Sequence, residues 1–130
     1  MSDSITVRIV NSQSWSIPIR LQSYANMAEH WRRKVQRKKK HNELLDAYFF
    51  VQQLEIKPPC RITLVRVAPR KLDDDNLRFA FKNVLDRIGK YLMPEKKVGH
   101  ADGSGLIQVD YQQTRGKPNE YKINIIIEEI

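Results

Sequence analysis

RITLVRVAPRKLDDDNLRFAFKNVLDRIGKYL, residues 61–92, passes from one hydrophobic period to another across an acidic turn. From Arg61 to Val67 the side chains alternate, with Ile62, Leu64, Val65 and Val67 as the apolar members. That pattern predicts a strand. Pro69-Arg70-Lys71 leaves it and leads into Asp73-Asp74-Asp75-Asn76. Leu77, Phe81, Val84, Leu85, Ile88 and Leu92 then fall on one stripe at helical spacing. Pro94 stops that helix.

Upstream, Ile5 to Val10 alternates as a half-buried strand does, and Ser14 to Arg20 is a less regular extended piece. Pro18 cannot donate to a sheet ladder, which argues for an edge position. A helix is expected from about Asn26, a capping residue with Glu29 three positions on, to about Leu54. Its first half is basic, with Arg32, Arg33, Lys34, Arg37, Lys38, Lys39 and Lys40 within nine residues. Its second half carries Leu44, Leu45, Ala47, Tyr48, Val51 and Leu54 near the helical period. The second half should therefore cover the core while the first protrudes into solvent. His41-Asn42 is a candidate break between two helices, and Lys57-Pro58-Pro59 ends the segment.

Downstream, Lys96 to Gly105 is a polar loop, and Leu106 to Gln112 and Tyr121 to Ile127 read as strands. Arg115-Gly116-Lys117-Pro118-Asn119 has turn chemistry, so these two strands are expected to form a hairpin. The sum is an α+β fold: a small mixed sheet of about four strands with two main helices, in one domain spanning 1–130.

The net charge of +8 raises the odds of a polyanionic partner, most often nucleic acid. Met1-Ser2-Asp3-Ser4 does not read as the start of a signal peptide and no apolar run reaches membrane length, so neither a signal peptide nor a membrane partner is expected. A lone cysteine, Cys60, makes no internal disulfide and fits a reducing, cytoplasmic compartment, with a structural role for the thiol.

A carboxylate near a helix start has an ordinary explanation: it accepts N–H bonds and complements the dipole. That accounts for one Asp, with Asp75 at or near the cap, but not for three in a row, whose mutual repulsion needs an offset. In extended chain Asp73 and Asp75 lie on one side with Asp74 opposite. Two converging carboxylates with open water positions suit Mg²⁺. A calcium-binding EF-hand is excluded: counted from Asp73, its sixth and twelfth positions are Arg78 and Val84 instead of Gly and Glu. Asp102, in His100-Ala101-Asp102-Gly103-Ser104-Gly105, is a further acidic candidate, although Asp-Gly is also a common turn dipeptide. A solvated acidic turn that merely caps a helix is the competing reading.

Asp73-Asp74-Asp75-Asn76-Leu77, followed by an amphipathic helix, resembles the Asp-x-Asp-Asn-Leu motif of RusA-type Holliday-junction resolvases. An Asp-Gly loop and the strand Ile107-Gln108-Val109-Asp110-Tyr111-Gln112-Gln113 follow at a similar distance in that family. Asn26-Met27-Ala28-Glu29-His30-Trp31-Arg32 is similar to a segment of its phage and prophage members. The resemblance covers roughly residues 20 to 127. It implies a homodimeric, Mg²⁺-dependent endonuclease, with Mn²⁺ as an acceptable substitute, acting on four-way DNA junctions in recombination and repair. Its metal-binding, catalytic carboxylates fall on Asp73, Asp75 and, across an alignment gap, Asp102. Where the family's helix can carry a functional Lys, four residues after the second Asp, this chain has Phe79.

Acidic ligands repel DNA, so binding is expected from Arg32, Arg33, Lys34, Arg37 and Lys38, from Arg70 and Lys71 beside the carboxylates, and from Arg78 and Lys82 on the face of Asp75. Trp31 and Tyr24 are candidates for stacking on unpaired bases, against the ordinary alternative of burial. His30, His41 and His100 are scattered and none is assigned as a base, although His100 stands near Asp102. The rival readings are a non-catalytic junction- or DNA-binding protein of the same fold, a related nuclease for flaps or single-strand branches, and a basic interaction protein.

Overall fold

The computed structural model describes residues 11–22, 31–94 and 105–130. The elements run β1 (Ser12–Ile17), α1 (Trp31–Val51), β2 (Cys60–Ala68), α2 (Asp74–Leu92), β3 (Ile107–Arg115) and β4 (Lys122–Glu129). They form the expected α+β architecture, a four-stranded mixed sheet in the order β1-β4-β2-β3 with two long helices. The strand expected at 5–10, and the cap at Asn26 with Glu29, lie outside the described residues.

β2 occupies the middle of the sheet because it is apolar on both faces: every residue of it except Arg61 is buried. It pairs parallel with β3 and antiparallel with β4. The unit β2-α2-β3 is thus a parallel crossover closed by the helix that the apolar stripe predicted. Among the described residues β1 pairs only with β4 and ends at Ile17, so Pro18 stands just past the end of the outermost described strand.

The expected β3–β4 hairpin does not form. β2 inserts between these strands, pairing in parallel with β3 along one edge and antiparallel with β4 along the other. The connection 116–121 instead crosses the end of β2, where the Gly116 N–H donates to the Ala68 carbonyl at 2.8 Å. A Cβ at Gly116 would meet Val67 Cγ1 at 3.1 Å, so the close crossing suits glycine.

One sheet face carries Trp15, Ile17, Ile62, Leu64, Ile123, Ile125 and Ile127 into a single core with both helices. Leu77, Phe81, Val84, Leu85, Ile88 and Leu92 are all buried there, as their spacing predicts. In α1, Leu45 and Phe49 reach the core, four residues apart on one face. Val51, expected on that face, is 86% exposed because it lies two residues, about 200°, beyond Phe49. The helix also runs unbroken through His41-Asn42. The Asn83 side-chain amide donates to the Asn42 side-chain oxygen at 3.1 Å, which gives that polar position a partner on α2.

Two residues of β1 fasten the exit of α1. The Gln13 amide donates to the Gln53 carbonyl at 2.8 Å and accepts from the Glu55 N–H at 2.8 Å, while Trp15 Nε1 donates to the Gln52 carbonyl. Cys60 is fully buried, and burial pushes its thiol pKa up, so it packs as a small apolar side chain. Among the described residues no helix is long and apolar enough to cross a membrane.

α1 and α2 are joined by a polar tie. Arg87 Nε donates to Asp46 at 2.9 Å, its second nitrogen donates to the other carboxylate oxygen, and the Tyr91 hydroxyl donates to the first at 2.6 Å. The Arg87 hydrogen bonds hold the Asp46 carboxyl below its usual range, and desolvation with the Asp46 bond pushes Tyr91 up to about 12. Because the folded pKa of Asp46 is depressed, its contribution is present above the unfolded value of ~3.9 and fades as pH falls through the folded value. Asp46→Ala should cost about 1 kcal/mol at neutral pH, the tie being partly solvated. Denaturant melts of both proteins should show that difference shrinking below about pH 4.

Candidate functional site

The segment entering the acidic turn is pinned by two side chains from neighbouring strands. Arg66, 6% exposed near the C-terminal end of β2, donates through Nε to the Leu21 carbonyl at 2.9 Å and through a terminal nitrogen to the Arg70 carbonyl at 2.6 Å. Gln113, its neighbour across the ladder on β3, accepts from the Leu72 N–H and donates to the Leu72 carbonyl, both at 2.8 Å. The Gln113 amide therefore stands in for a strand partner at the residue just before Asp73. Together they fix the direction in which the chain enters α2.

Asp73 is the N-cap, with extended φ −63° and ψ 156°, and Asp74 and Asp75 are the first two helical residues. The cap thus falls on Asp73, and Asp75 is already inside the helix. The alternation of an extended chain stops at Asp73, so the relation of Asp73 to Asp75 is set by the first helical turn. All three aspartates are exposed, and the Asp73 carboxylate makes no capping hydrogen bond. The backbone holds the turn instead, with the Leu77 N–H donating to the Asp73 carbonyl at 2.8 Å. Three carboxylates at the positive end of a long helix are favourably placed for the dipole.

Asp102 and His100 lie outside the described residues, as do Tyr24 and His30. Among the described residues no group of three or more His, Cys, Asp or Glu side chains is gathered in a way that could hold a metal ion. Asp74 does meet another carboxylate: with Leu77 and Arg78 it lines a groove shared with Asp110, Tyr111 and Gln112 of β3. The Arg78 guanidinium lies 5.5 Å from the centre of the Tyr111 ring. Asp110 also faces Arg61 at 3.8 Å, an exposed pair of small energetic weight. Neither Asp74 nor Asp110 stands out in the sequence as a site residue; the parallel pairing of β3 beside α2 brings them to one groove.

Arg32, Arg33, Lys34 and Lys38 are exposed along the protruding half of α1, and Arg37 is half-buried. Arg70, Lys71, Arg78 and Lys82 are exposed around the start of α2. Lys34, Arg37 and Lys38 share one groove with Lys82, so part of the α1 run and α2 contribute to a common basic surface. On the other flank of α1, Arg33, Arg37 and Lys40 line a second groove with Arg20, a cation that the sequence reading did not select. Arg20 stacks over Tyr121 with its guanidinium 4.1 Å from the ring centre. His41 borders both grooves; burial first, and then Arg37 and Lys40, lower its pKa, so it is neutral at pH 7. Trp31 is 64% exposed with Arg32 against its ring, and so contributes nothing to the core. Compared with known proteins, the chain matches no family model and no curated protein.

Proposed function

We propose that the chain is a Mg²⁺-dependent, structure-specific endodeoxyribonuclease that resolves four-way DNA junctions as a homodimer, acting in the cytoplasm in recombination or repair. The observation that carries this reading is the acidic turn at Asp73–Asp75, held by Arg66 and Gln113 and flanked by exposed cations. Its motif resembles that of the RusA-type resolvases. Asp73, Asp75 and Asp102 would hold the metal. The exposed, uncapped Asp73 carboxylate fits that role, because its oxygens are not committed to the helix. When bound, Mg²⁺ supplies Lewis acidity to the scissile phosphate and to the attacking water, with Mn²⁺ serving as a substitute.

The protein's own contribution is position and charge. Arg70 and Lys71 stand beside the aspartates and offset the repulsion between carboxylates and DNA. Arg32, Arg33, Lys34, Arg37, Lys38, Arg78 and Lys82 meet phosphates without reading bases, which suits recognition of a branch by shape. Two symmetric cuts require two copies of the site related by a two-fold axis. A non-catalytic junction-binding protein is the second reading, favoured by the apolar Phe79 on the exposed face of α2 near the turn.

Gel-shift titration separates branch recognition from general DNA affinity. With EDTA present to prevent cutting, a four-way junction should be bound at least about tenfold more tightly than linear duplex of the same length. Equal affinities would remove the junction from the proposal.

A further inference from the structure

The groove between α1 and α2 has a composition that capping or solubility does not explain. Its floor is apolar: Val35 and Phe79 remain 55% and 48% exposed and meet there with Ala80. Its rim carries Lys34, Arg37, Lys38 and Lys82 against one carboxylate, Asp86. Its volume is about 340 Å³, near the lower end of the ~300–1,000 Å³ of small-ligand sites. A charged helix kept for solubility has no need of a half-exposed Phe on the helix that lines the same groove. An apolar floor inside a cationic rim complements a ligand with a flat π-face and a negative backbone. Paired duplex presents phosphates but hides its base faces, whereas an unpaired nucleotide presents both.

We infer that this groove seats one unpaired nucleotide of the DNA, its base stacked on Phe79 and its flanking phosphates on Lys34, Lys38 and Lys82. The inference deepens the proposed function and rests on its DNA-binding half. Phe79 lies four residues after Asp75, about 6 Å further along the helix axis. A base held there places a distorted, unpaired point of the strand one helical turn from the acidic turn. That geometry gives a nuclease without base-specific contacts a way to prefer branch points, where bases are unpaired. The Lys34 and Lys38 stems lie on the α1 wall and Lys82 on the α2 wall, so phosphates on either side of the base each find a cation.

The test uses the full chain and a short single-stranded oligonucleotide carrying one fluorescent adenine analogue whose emission falls on stacking. Wild type should quench the analogue on binding. Phe79→Ala should weaken binding about 5- to 100-fold and remove the quench, while Phe79→Trp retains both. The double variant Lys34→Ala, Lys38→Ala should lower the salt slope of binding by about 1.4, roughly 0.7 for each contact to a single strand. Full affinity and full quench in Phe79→Ala would overturn the inference, and if wild type still cuts junctions the proposed function survives that loss. A Phe79-dependent quench from a protein that cuts nothing keeps the groove and removes only the nuclease. A wild type that binds no nucleic acid overturns both. Displacement of the oligonucleotide by polyglutamate, with no quench at any stage, would assign the groove to acidic peptide and overturn the inference.

Discussion

Asp75→Asn lowers Mg²⁺-dependent cutting of a four-way junction by at least about 100-fold, with junction affinity in EDTA preserved. The magnitude follows from the nature of a metal ligand. Loss of an outer partner of such a ligand costs roughly 10- to 100-fold, and loss of the ligand itself costs no less. Asn keeps the size of Asp and one carbonyl oxygen, but it removes the negative charge that holds a hard cation. Asp75 is exposed at the second position of α2, so the substitution should cost stability only through the helix dipole, about 0.3–1 kcal/mol. A thermal melt run beside the cleavage assay separates a lost ligand from a lost fold. Because the change also removes a negative charge near DNA, any effect on affinity should favour tighter binding. Lost cutting with intact or improved binding is therefore the specific signature of a ligand.

Replacing Arg33, Lys34, Arg37 and Lys38 by Ala weakens binding to both junction and duplex and flattens their salt dependence. Each phosphate contact contributes about 0.9 to the slope of log affinity against log salt on duplex DNA. Four lost contacts should reduce the slope by about 3.6 if all four side chains reach phosphate. The residues lie on the half of α1 that stands away from the core: Arg33, Lys34 and Lys38 are exposed and Arg37 is half-buried. Ala is also the best helix former, so α1 itself should persist. Titrations at several salt concentrations read the slope directly. An unchanged slope would detach the basic run from DNA and leave it as a solvated surface.

The elements with a strong period were legible in the sequence. β2 was predicted at 61–67 and spans Cys60–Ala68, and the whole apolar stripe of α2 is buried. Strand order was less accessible. The turn residues 115–119 suggested a hairpin, but local turn chemistry is blind to a third strand, and β2 pairs between β3 and β4. The register of α1 was misjudged at Val51 because a basic half and an apolar half give a blurred period, and Phe49 is the residue that reaches the core. The acidic turn at 73–75 and the exposed cations around it were visible in composition and spacing. The parts that hold them could not. Gln113 meets Leu72 across 41 residues, and Arg66 is a charged residue within a strand of otherwise ordinary pattern. No periodicity marks such long-range polar ties. The meeting of Val35 with Phe79 is likewise a product of helix–helix geometry, invisible along one dimension.

The decisive measurement is cleavage of a strand-labelled four-way junction with Mg²⁺ or EDTA, with linear duplex as control and Asp75→Asn beside the wild type. A metal-dependent resolvase makes paired nicks at symmetric positions near the branch, present with Mg²⁺, absent with EDTA and lost in Asp75→Asn. Tight junction binding with no nick in either Mg²⁺ or Mn²⁺ would contradict it, as would cutting that persists undiminished in Asp75→Asn.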